Sequence, residues 1–103
     1  MHMLNITKTI ENDAAVFSLE GRLDTVTAAD LEKALGKALP GLTRLTLDFE
    51  KLDYISSAGL RVLLSAQKMM SAQAGEMKLL HVQETVLEIF EVTGFSDILT
   101  IEA

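Results

Sequence analysis

Tyr54-Ile55-Ser56-Ser57-Ala58-Gly59-Leu60-Arg61 joins two segments whose apolar residues repeat with different periods. Before it, Leu45, Leu47 and Phe49 alternate with Thr46 and Asp48, the period-two pattern of a strand with one packed face. After it, Leu60, Leu63, Leu64 and Met70 fall along one side of a helix, as a repeat of about 3.6 residues requires. The chain therefore passes from strand to helix at the serine pair. At that point the first amide groups of the helix have no intrahelical partner, and the helix dipole is positive. Serine is favoured there as a cap, and a phosphate is equally well received. The residues alone leave both roles open.

Upstream, Leu4 to Ile10 alternates loosely, Glu11-Asn12-Asp13 supplies turn formers, and Ala14 to Glu20 alternates again. This predicts a hairpin, with Gly21 breaking its second strand. Asp24-Thr25-Val26-Thr27 leads into a helix whose apolar positions are Ala28, Leu31, Leu35, Ala38 and Leu39. Thr27 and Asp30 are its expected capping pair, and Pro40-Gly41 its stop. Leu42 to Phe49 is then a strand that a helical crossover sets parallel to the hairpin. Glu50 to Asp53 is expected to turn toward the serine corner.

Downstream, the helix from Ser57 to Gln73 has an apolar arc wider than one stripe, because Val62 and Met69 lie outside the sector of Leu60, Leu63, Leu64 and Met70. A neighbouring helix is the expected cover, and a partner protein the alternative. Met77-Lys78-Leu79-Leu80-His81-Val82 is nearly continuously apolar, which predicts a strand covered on both faces. A short helix carries Val86, Leu87, Ile89 and Phe90 and stops at Gly94. Ile98 to Ile101 forms a last strand. The order β-β-α-β-α-β-α-β predicts an α/β domain, a small mixed β-sheet covered by helices, over residues 1–103.

A chain of 103 residues is one domain that removes roughly two-thirds of its unfolded surface from water. Hydrophobic residues at 49% and charged residues at 23% are ordinary globular usage. The absence of cysteine excludes disulfides and thiolate metal sites. A net charge of −6 argues against nucleic-acid and anionic-membrane partners, which demand clustered basic residues. Apolar runs fall far short of the roughly 20 residues that span a bilayer. Met1-His2-Met3-Leu4-Asn5 is no basic-then-apolar leader, so a soluble, unprocessed, cytoplasmic chain is expected. His2, expected to fray with the terminus, and His81 belong to no metal-spaced sequence cluster. Neither a Gly-x-Ser-x-Gly elbow nor a phosphate-loop or dinucleotide fingerprint occurs. Asp48 and Asp53, flanking the expected turn, read as solvated or capping carboxylates. No enzyme, cofactor or metal is expected.

The stretch from Tyr54 to Arg61, together with Gly21-Arg22-Leu23-Asp24 and Thr93-Gly94-Phe95, resembles the STAS domain of bacterial anti-sigma factor antagonists over nearly the whole chain. In that family the site usually reads Asp-Ser-Ser/Thr-Gly-Leu, and the first serine is phosphorylated by an anti-sigma factor that is also a kinase. Aligned on Gly59 and Leu60, the acceptor falls on Ser57, the family's aspartate on Ser56 and its second hydroxyl residue on Ala58. Ser56 thereby becomes the alternative acceptor. Asp24 matches an aspartate near the partner-binding surface, and Asp48 the aspartate closing the central strand. Capping and turn support are their structural alternatives. The resemblance implies a partner-binding set of Asp24, Ser56, Ser57, Ala58, Gly59, Arg61 and Val62. It implies an anti-sigma factor/serine-threonine kinase as partner, release on phosphorylation of Ser57, and a serine phosphatase to reset the cycle. The rival expectation is an accessory STAS subunit that regulates a membrane transporter without phosphorylation.

Overall fold

Two strands, β1 (Leu4–Glu11) and β2 (Ala14–Leu23), pair antiparallel at one edge of the sheet in a computed structural model that describes residues 3–102. His2 lies outside the described residues. Asn12 turns the hairpin with a φ of 55°, a left-handed conformation that asparagine tolerates better than most residues. The chain continues through α1 (Thr27–Ala38), β3 (Arg44–Ile55), α2 (Ser57–Ala72), β4 (Glu76–Leu80), α3 (Glu84–Thr93), a short 3-10 turn (Phe95–Asp97) and β5 (Thr100–Glu102). The strands lie in the order β1-β2-β3-β4-β5, and every pair after the first is parallel. The expected element order and mixed sheet are those observed.

Each crossover advances one strand in the same direction, and crossovers of one hand then place their helices on one face. Phe17 and Leu19 of β2, Leu45, Leu47 and Phe49 of β3, and Met77 and Leu79 of β4 are buried in one cluster with Leu31, Leu35, Leu63, Met70 and Phe90 of the helices. Burying each such side chain contributes about 1.5–3 kcal/mol. The alternate residues Val16, Ser18, Thr46, Asp48, Lys78 and Leu80 are exposed or half-buried. The sheet thus has an open face. This corrects the expectation for β4: Met77 and Leu79 are buried, but Lys78 reaches Glu102 at 3.3 Å on the open side.

Three further expectations change. Gly21 does not break β2, which runs on to Leu23. It has a φ of 117°, and a β-carbon there would collide with the Met3 carbonyl oxygen, so only glycine lets β1 pass so close. Glu50 to Asp53 is not a turn but part of β3. Its pairing with β2 shifts between Ser18/Glu20 and again between Gly21/Arg22, and this bulged register returns Leu52 and Ile55 to the core. Asp48 therefore sits within β3 instead of closing it. Finally, Thr27 pairs with Asp24 and not with Asp30. Asp24 Oδ1 accepts the amides of Val26 and Thr27 at 3.0 and 2.9 Å, while Thr27 Oγ1 accepts the Asp24 amide at 2.9 Å and donates to the Arg22 carbonyl at 2.7 Å.

The broad apolar arc of α2 is covered as expected where α1 lies beside it: Val62 is 7% exposed. Met69 remains 42% exposed. Gln73 ties the end of α2 down by donating to the carbonyls of Leu39 and Leu42, each at 3.0 Å. Gly94 ends α3 with a φ of 82°, as its position predicts.

Candidate functional site

The serine corner forms where β2 and β3 end side by side. Leu23 pairs with Ile55, and the next amide, that of Ser56, donates to the Leu23 carbonyl at 2.9 Å. Ser56 is extended, with φ −99° and ψ 174°, and its Oγ accepts the Gly59 amide at 3.2 Å. Its carbonyl takes the first intrahelical bond, from Leu60, at 2.9 Å. Ser56 is thus the cap of α2. Ser57, the first helical residue, is exposed.

Gly59 is buried, and a β-carbon placed on it would lie 2.8 Å from Leu23 Cγ and 2.9 Å from Ile55 Cγ1. The absent side chain lets the first turn of α2 rest directly on both strand ends. Just outside, the Arg22 guanidinium stacks over the Tyr54 ring, 4.0 Å from its centroid. That cation–π contact is worth about 0.5–1 kcal/mol at an exposed site.

No acidic residue occupies the first turn of α2. Arg61 is exposed four residues after Ser57, and side chains so spaced are neighbours on a helix surface. An anion on Ser57 would meet both the helix dipole and a guanidinium. Beside them a concavity of about 300 Å³ runs between α1 and α2, with Ala28, Ala29 and Glu32 on one wall and Ala58, Arg61 and Val62 on the other. Val26, in the turn before α1, is 72% exposed.

The structure brings Asp24, Ser56, Ser57, Ala58, Arg61 and Val62 to this corner and groove, and it places Gly59 beneath them. Asp24 is occupied in capping the turn into α1. Sequence reasoning missed the groove wall of Ala28, Ala29 and Glu32 and the exposure of Val26 in the turn before it. The available signal was Val26 itself, an apolar residue set between two threonines in a turn.

Asp48 lies on the open sheet face. Its Oδ1 accepts the Glu50 amide at 3.0 Å and stands 3.1 Å from His81 Nδ1. Partial burial pushes its carboxyl up, but the Glu50 amide, the His81 hydrogen bond and charge, and Lys51 outweigh that and hold it below the usual carboxylate range. Among the described residues, no histidine or carboxylate hydrogen-bonds either serine. Among the described residues, no helix is long and apolar enough to cross a membrane.

The STAS domain family model matches residues 5–103. BtrV of Bordetella bronchiseptica, named as a candidate anti-sigma factor antagonist, is 41% identical over 81 residues, covering 78% of this chain and 70% of BtrV. The anti-sigma-B factor antagonist of Bacillus subtilis is 31% identical over 96 residues, covering 93% of this chain and 87% of that protein. Among solved structures, the anti-sigma factor antagonist SpoIIAA in its unphosphorylated form matches 97% of this chain and 87% of its own with a TM-score of 0.75. The phosphorylated form of Bacillus SpoIIAA matches 97% and 91% with a TM-score of 0.73. At 20% identity both speak for the fold. With the matched family model and the two sequence relatives, the chain belongs to the STAS-domain family of anti-sigma factor antagonists.

Proposed function

We propose that residues 1–103 act in the cytoplasm as one non-enzymatic STAS domain that binds an anti-sigma factor with serine-kinase activity. The kinase phosphorylates Ser57 and thereby ends the complex, and a serine phosphatase restores it. The observation that carries this reading is the division of labour between adjacent serines. Ser56 is spent on the helix cap, whereas Ser57 is exposed and directly precedes Ala58, which lines the α1–α2 groove.

Local charge accounts for the switch. A phosphoserine adds about −1.5 to −2 charge units, and the helix dipole favours it by only roughly 0.3–1 kcal/mol. The fold therefore survives modification. An interface closed over the same dianion without a matching cation loses several kcal/mol. At about 1.4 kcal/mol per tenfold, a loss of roughly 3–4 kcal/mol weakens binding by two to three orders of magnitude.

The test is peptide mass mapping of the protein isolated from its host, with fragmentation that separates Ser56 from Ser57. A phosphate on Ser57 that rises and falls with growth condition is the expected result. No phosphate under any condition, with stable copurification of a membrane transporter, overturns this reading in favour of an accessory subunit.

A further inference from the structure

The open face of the sheet carries a second constellation, remote in sequence from the serine corner. Asp48 and Glu50 lie two residues apart on β3, where the pairing with β2 shifts. His81 follows β4 with a φ of 56°, a left-handed conformation uncommon outside glycine. Gln83 Nε2 donates to the Glu50 carbonyl at 2.7 Å and holds the β4–α3 turn against β3. The result is one imidazole and two carboxylates whose ligand atoms all lie within 4.8 Å of one another.

That spacing suits a metal ion. Histidine nitrogen and carboxylate oxygen bind zinc at about 2.0–2.2 Å, so adjacent ligands at octahedral to tetrahedral angles stand roughly 2.8–3.6 Å apart. His81 Nδ1 and Asp48 Oδ1 are already 3.1 Å apart. Glu50 is exposed, and its carboxylate lies within 4.8 Å of both ligand atoms. A concavity of about 260 Å³ beside them, lined by Thr7, Ser18, Glu20 and Lys51 as well as Asp48 and Glu50, leaves room for coordinating water. An imidazole with two carboxylates favours zinc and its transition-metal neighbours over magnesium or calcium, which prefer all-oxygen shells.

We propose that Asp48, Glu50 and His81 bind one divalent transition-metal ion of the zinc type through the imidazole and two carboxylates. Sequence reading places His81 in no metal-spaced cluster because it lies more than thirty residues from both carboxylates. Only the parallel β3–β4 pairing brings them together. The ion ties the β4–α3 turn to β3, and the site works independently of phosphorylation at Ser57.

The test is calorimetric titration of the full chain with zinc chloride, alongside His2→Ala, Glu50→Gln and His81→Ala, with circular dichroism to verify folding. Glu50 and His81 are exposed, so both variants fold. The expected result is one zinc per chain, unchanged in His2→Ala, at least about tenfold weaker in Glu50→Gln and abolished in His81→Ala, with equimolar magnesium failing to compete. The proposal is overturned by no saturable zinc binding, by binding that survives His81→Ala or is indifferent to Glu50→Gln, by binding lost in His2→Ala, or by equal competition from magnesium.

Discussion

Ser56 Oγ accepts the Gly59 amide at 3.2 Å, and that one bond separates two serines that the sequence presents side by side. The first is held in place by the helix it caps. The second begins that helix, exposed, with Arg61 one turn further on. The Ser56 hydroxyl is half-buried and engaged with a backbone amide, so a kinase reaches it less readily. A hydroxyl at the first helical position forfeits nothing, and its phosphate gains the free amides of the turn.

Ser57→Ala should fold like the parent chain and bind the anti-sigma partner without release, while Ser57→Asp should bind it two to three orders of magnitude more weakly, following the loss of roughly 3–4 kcal/mol argued above. Titration of each variant against the purified kinase decides the matter. Equal affinities would sink the charge switch.

Ser56→Ala should remain a substrate at Ser57 but lose stability. Removing a serine cap costs about 1 kcal/mol, which lowers the melting temperature of a domain this size by about 4–8 °C. Phosphate incorporation that vanishes in Ser56→Ala and persists in Ser57→Ala would reverse the assignment of acceptor.

Gly59→Ala should destabilise the chain by about 1–3 kcal/mol, the range for adding a methyl group to a packed site. The new β-carbon would meet Leu23 and Ile55 at 2.8 and 2.9 Å, and both are core residues at strand ends. The urea midpoint measures the effect. An unchanged midpoint would mean that the corner yields more easily than its packing implies.

Much of this was legible because hydrophobic period reports local structure directly. Leu45, Leu47 and Phe49 marked β3, Leu60, Leu63 and Met70 marked α2, and Gly94 marked the end of α3. What escaped was set by pairing between distant segments. The polar run Glu50-Lys51-Leu52-Asp53 resembles a turn by composition, yet β2 pairs with it through a shifted register. The apolar Met77-Lys78-Leu79-Leu80 suggests two covered faces, but the one-sided succession of crossovers leaves one face open. At the site, the serines were visible and their division of labour was not, since it depends on which hydroxyl faces the Gly59 amide. The α1 wall of the groove had no motif to announce it.

Asp24→Ala should lower stability by about 1 kcal/mol, because Asp24 Oδ1 caps the amides of Val26 and Thr27. Val26→Asp provides the contrast. Val26 is 72% exposed, so the substitution should leave the melting temperature nearly unchanged while weakening partner binding at least about tenfold, as loss of an apolar anchor does. Full affinity in Val26→Asp would remove this turn from the interface.

Stability should fall in acid, and Asp48 should supply part of the slope. Its folded carboxyl lies below the ordinary value of 3.8, since the Glu50 amide and His81 outweigh the opposing effect of partial burial. A group depressed in the folded state stabilises fully above its unfolded value and loses that contribution as pH falls through the folded value. Asp13, lowered chiefly by the Thr43 hydroxyl, acts in the same sense. Urea unfolding should therefore show declining stability below about pH 4, and Asp48→Asn, which cannot titrate, should flatten the decline without abolishing it. A parallel decline in parent and variant would show that Asp48 has the same proton affinity in both states and that its bonds to Glu50 and His81 do not favour the ionised form.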